Sequence, residues 1–64
     1  MKRRSPPVTA EMAAIIKLLV IRYEYIQHHA AAVFGINQGR VSEVMSGKRH
    51  PNVPMATSLP PGLV

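Results

Sequence analysis

Apolar positions fall into three groups along the chain, and the spacing inside each group predicts an element. In the first, Met12, Ile15, Leu18 and Leu19 recur three and four apart, the spacing of one helical face. Thr9 is a good N-cap and Glu11 complements the helix dipole in the first turn. The pattern predicts a helix from about Ala10 to Arg22 or Tyr23. Placed at ~100° intervals, the apolar arc continues through Ile16, Val20 and Tyr23 to roughly 200°. One small domain cannot cover so wide a face, so Ile16, Val20 and Tyr23 are expected to meet a second copy of the chain.

The second group is "QHHAAAVF", Gln27 to Phe34. Ala30, Ala31 and Ala32 favour helix, and their small side chains let another helix pack close. The start is poorly capped, with Ile26 where Ser, Thr or Asp is preferred. Gly35 is the expected left-handed stop. In the third group Val41, Val44 and Met45 form a buried face, while Gln38, Ser42 and Glu43 point elsewhere. Asn37 is the N-cap, Gln38, Gly39 and Arg40 the first turn, and Gly47 the end.

Outside these groups the period is lost. Residues 1–8 carry Lys2, Arg3 and Arg4 ahead of Pro6-Pro7, the composition of a flexible basic arm. Residues 51–64 hold four of the six prolines and are expected to be irregular or disordered. Val53, Met55, Leu59, Leu63 and Val64 give that tail a means of docking in a groove. The expected fold is all-α: a small three-helix domain over residues 9–50, containing a helix-turn-helix. A basic N-terminal arm and a Pro-rich C-terminal tail flank it.

Length and charge narrow the function. A chain of 64 residues makes one small domain at most, and one that is marginal on its own. It has no cysteine, so neither a disulfide nor a thiolate metal site reinforces it; oligomerisation is the usual remaining support. Eight Lys and Arg against three acidic residues give a net charge of +5. A basic domain of this size points first to nucleic acid. The N-terminal apolar run is interrupted by Lys17 and ends at Arg22 with no small-residue cleavage site after it, unlike a signal peptide, and it is too short and too charged for a membrane span. A cytoplasmic, nucleoid-associated protein is expected.

Gly39 sharpens that expectation. A glycine in a helix's first turn costs ~1 kcal/mol against alanine. It either leaves room for DNA to approach or avoids a clash inside the protein. The free N–H groups and dipole of a helix start suit a nearby phosphate, and Arg40, Lys48 and Arg49 are placed to clamp one.

"QHHAAAVFGINQGRVSEVMSGKR" resembles the helix-turn-helix unit of phage-repressor-like regulators, which are small bacterial or phage DNA-binding proteins. Ala31 matches the small residue needed for close helix packing, and Gly35 the turn glycine. Val41 and Val44 match the core-facing branched residues, and Gly47-Lys48-Arg49 the closing glycine and basic pair. The likeness covers about residues 9 to 50. Ile26 and Ala30 depart from the pattern, as does the lack of further helices after the unit. The resemblance implies that Asn37, Gln38, Ser42 and Glu43 face the DNA groove as base readers. It implies that Gln27 touches phosphate. Gly39 belongs with the readers as the point of close approach. Lys2, Arg3 and Arg4 either reach a minor groove or only add charge.

Other chemistry finds little footing. His28 and His29 are adjacent and point about 100° apart on a helix, so they cannot share one metal. No nucleophile–base–acid set and no phosphate-binding glycine loop is present. No catalytic residue, metal, cofactor, membrane or small-molecule substrate is expected. The expected partners are double-stranded DNA and further copies of the chain, as a homodimer or higher homo-oligomer. A small sequence-specific transcriptional regulator fits best. An architectural or recombination-accessory protein that assembles along DNA is an alternative. So is a protein-interaction module that binds a regulator or polymerase.

Overall fold

The computed structural model describes residues 7–63; Lys2, Arg3, Arg4 and Val64 lie outside them. The described residues form three helices and no strand. Helix α1 (Ala10–Lys17) continues without a break into a π-helical turn, Leu18–Arg22; α2 is Gln27–Phe34 and α3 is Gln38–Ser46.

The helix ends follow from named residues. Thr9 Oγ1 accepts the Met12 N–H at 3.1 Å, satisfying one free donor of α1. Val8, before that cap, and Ala13, one turn in, are both buried, the two positions of a hydrophobic staple. Ile26 makes no side-chain cap for α2, as its chemistry dictates. Gly35 ends α2 in the left-handed region at φ +67°. The Ile36 N–H then donates to Ala31 O at 3.0 Å, and the Gly35 N–H to Ala32 O at 3.3 Å. This is a Schellman motif, and it turns Ile36 into the core beside Ala31.

The first helix departs from a straight α-helix. The Tyr23 N–H reaches back five residues to Leu18 O at 3.2 Å, and the Tyr25 N–H six residues to Leu19 O at 3.0 Å. Glu24 closes the turn at φ +60°, where a residue with a Cβ is uncommon. The wider turn breaks the 100° projection after Lys17. Ile16, expected at an intermolecular face, is completely buried inside the protomer and is not available to a second copy. Val20 is half-buried against the same core, and Tyr23 is half exposed.

Ile16, Leu19, Val41 and Val44 are the largest fully buried side chains, so the centre lies where α1 crosses α3. Ala30 and Ala31 are buried where α2 meets them, which is what a small side chain at a close helix contact provides.

The wide face of α1 is covered in part by the chain itself. Residues 51–63 form no helix or strand, yet they are not loose. The Ala56 N–H donates to Ala14 O at 3.0 Å, and Lys17 Nζ donates to Val53 O. Val53, Ala56, Leu59 and Leu63 pack against the core. Met55, expected to dock with them, is exposed. At the other edge, His50 Nε2 lies 2.8 Å from Val8 O and ties the start of α1 to the loop after α3. The tail supplies part of the apolar cover, while Ile21, Tyr23 and Ile26 stay exposed.

Candidate nucleic-acid interface

Helix α3 has one buried and one open side. Val41 and Val44 are at most 1% exposed, while Asn37, Gln38, Gly39, Arg40 and Ser42 are all exposed. The buried pair anchors the helix against α1 and α2. The open residues lie in its N-terminal turn and, at Ser42, one turn further along.

The start of the helix is set by Asn37. Its Oδ1 accepts the Gly39 N–H at 2.7 Å, capping α3. A Cβ on Gly39 would meet that same oxygen at 3.1 Å and, its chain neighbours and the backbone of its own helix aside, no other atom within 4 Å. Of the two expectations for Gly39, this contact bears on the clash inside the protein. A side chain there crowds the cap.

At the other end, Gly47 takes φ +86° and the Lys48 N–H donates to Glu43 O at 2.9 Å. The Arg49 N–H reaches the same carbonyl at 3.3 Å. The chain therefore folds back over the last turn of α3. This return brings Arg49 Nε to 2.8 Å from Glu43 Oε1. Arg40 Nη1 stands 3.7 Å from the same oxygen. The hydrogen bond from Arg49 holds the Glu43 carboxyl below its ordinary value; partial desolvation opposes this, and the charges of Arg49, Arg40 and Lys48 add to it.

Of the expected base readers, Asn37, Gln38, Gly39 and Ser42 share the open surface. Glu43 does not stand free beside them: its carboxylate is engaged by two arginines, both expected to bind phosphate. Spacing along the sequence held the signal for Arg40–Glu43, at i and i+3. The Arg49–Glu43 pair depends on the left-handed turn at Gly47. Lys48 is exposed and Arg49 half-buried. Gln27 is half-buried at the start of α2, and His28 and His29 are exposed. Tyr25 stacks on His29, one helical turn on, with ring centroids 4.4 Å apart. Among the described residues no cluster of three metal-ligating side chains occurs, and no helix is long and apolar enough to cross a membrane.

No family model, curated protein or solved structure matches the chain.

Proposed function

We propose that the protein binds double-stranded DNA in a sequence-specific manner, with α3 as the recognition helix, and acts as a small transcriptional regulator. The observation that carries this is the open N-terminal surface of α3 on a rigidly buried back, in a chain of net charge +5. A helix in the major groove reads base edges from such a surface. Gln38 suits adenine N6 and N7, and Asn37 and Ser42 offer shorter donors and acceptors. Arg40, Lys48 and Arg49 bracket the surface along the helix and supply phosphate contacts. In a bacterial cell, whether encoded by the host or by a phage, such a protein sits on the nucleoid.

A twofold assembly belongs to the same proposal. It would set two recognition helices about one DNA turn apart, ~34 Å. With Ile16 buried, the apolar surface left for it includes the exposed Ile21, Tyr23 and Ile26.

The test is the salt dependence of binding. Changing Arg40, Lys48 or Arg49 to Ala should weaken binding to all sequences alike. Each change should also reduce the slope of log K against log salt by roughly one unit. Unaltered slopes in all three variants would remove the phosphate clamp, and absence of any salt-sensitive DNA binding would favour a protein-interaction module.

A further inference from the structure

We infer that Glu43 is a positioning residue: it holds Arg49, and more loosely Arg40, in place for a DNA phosphate rather than reading a base. This rests on the DNA-binding proposal and assigns a role within the same surface. An acid on a DNA-facing helix opposes phosphate attraction, so its presence needs a compensating use. The geometry supplies one. Glu43 engages Arg49 through Nε, at 2.8 Å. That choice of donor matters, because the guanidinium keeps both terminal amino groups, the fork that grips a phosphate in two places.

The backbone makes the same arrangement from the other side. The Glu43 carbonyl accepts the N–H of both Lys48 and Arg49, so one residue fixes the loop by its main chain and the arginine by its side chain. The Arg40 guanidinium, at 3.7 Å, is drawn to the same oxygen. The three side chains carry a net charge of about +1, and Lys48 beside them raises it to about +2, so the site still attracts an anion. All three side chains are more than a third exposed, so the contacts add little to fold stability. They restrict where long, flexible side chains point, which lowers the ordering cost when a phosphate arrives.

Two variants isolate this role. Glu43→Gln and Glu43→Ala both remove the negative charge, so its general effect on DNA affinity cancels between them. Gln keeps an oxygen for the Arg49 Nε–H, and Ala does not. Glu43→Ala should bind a duplex roughly two- to tenfold more weakly than Glu43→Gln at the same salt, the size expected for freeing one long side chain. The gap should vanish when Arg49 is also changed to Ala. Base preferences, measured by competition against every single substitution in a selected duplex, should be the same in parent and both variants. Without DNA, NMR should show the Arg49 Nε–H protected from exchange in the parent and in Glu43→Gln, and unprotected in Glu43→Ala.

Equal affinities of the two variants, or a gap that survives loss of Arg49, would overturn the inference. A base preference that changes at one position would make Glu43 a reader and overturn it too. Intact Nε–H protection in a parent protein that binds no DNA would separate the failures: the phosphate role and the proposed function would fall, while the Glu43–Arg49 contact stood.

Discussion

Replacing Gly39 by Ala separates the two explanations for a glycine in the first turn of α3. The new Cβ would lie 3.1 Å from Asn37 Oδ1, tighter than ordinary contact by a few tenths of an ångström. The carboxamide sits on an exposed side chain and can shift, at the expense of its 2.7 Å bond to the Gly39 N–H. Losing that cap entirely would cost ~1 kcal/mol, and a partial loss costs less. Against this, alanine is favoured over glycine in a helix by up to ~1 kcal/mol. Gly39 is not among the glycines with positive φ, so no backbone strain is added. The two effects oppose each other and are of similar size. Net stability should therefore change by less than about 1 kcal/mol, a melting shift below ~8 °C for so small a domain. DNA affinity should behave differently. The methyl group stands on the side where the proposal puts DNA, and overpacking a close contact costs ~1–3 kcal/mol, roughly five- to 150-fold in Kd. Thermal unfolding followed by circular dichroism and fluorescence anisotropy with a selected duplex measure the two quantities side by side. A variant that folds and binds as well as the parent would show that the glycine serves the Asn37 cap alone.

Other perturbations probe the fold and the charged cluster. Ala31→Leu adds bulk at a residue only 3% exposed, where α2 packs on α3. It should cost ~1–3 kcal/mol and lower helicity and DNA binding together, and a fully folded variant with normal binding would contradict that packing. Truncation after His50 removes Val53, Ala56, Leu59 and Leu63, all partly buried against the core; full burial of a Val or Leu is worth ~1.5–3 kcal/mol, so each contributes less than that. The shortened chain should lose its cooperative thermal transition or self-associate through the bared α1 face; an unchanged monomer with an unchanged melting point would refute the tail's role. Glu43 should titrate below its ordinary value of 4.5 in an NMR pH series. Because the folded state lowers its pKa, its stabilising contribution is present above the ordinary value and is lost only as pH falls through the lowered one. A midpoint at or above the ordinary value would contradict the Arg49 contact.

The helices were legible because each is bounded by local chemistry. Thr9 and Asn37 accept the N–H groups of α1 and α3, and Gly35 and Gly47 take the left-handed stops that their positions announce. The π-helical turn was not legible. Leu18–Arg22 contains no glycine or proline to mark it, and Glu24 gives no sign of its positive φ. That turn shifts the wheel only beyond Lys17; Ile16 was misplaced because the docked tail and α3 cover its face, which a helical wheel does not contain. The tail's docking was half legible: its apolar residues were visible, but the bonds from Ala56 and Lys17 join segments about forty residues apart. For the candidate site, the open face of α3 followed from Val41 and Val44, since burying one side exposes the other. The engagement of Glu43 by Arg49 did not, because it depends on the path of the chain beyond Gly47.

The central claim is that the open surface of α3 reads a DNA sequence. Selection of bound duplexes from a random double-stranded library, followed by competition at fixed salt, tests it most directly. The account predicts a defined motif bound at least ~10³-fold more tightly than unrelated DNA, with that ratio reduced by Gln38→Ala. Enrichment of no motif, or one that is indifferent to Gln38, Asn37 and Ser42, would contradict it.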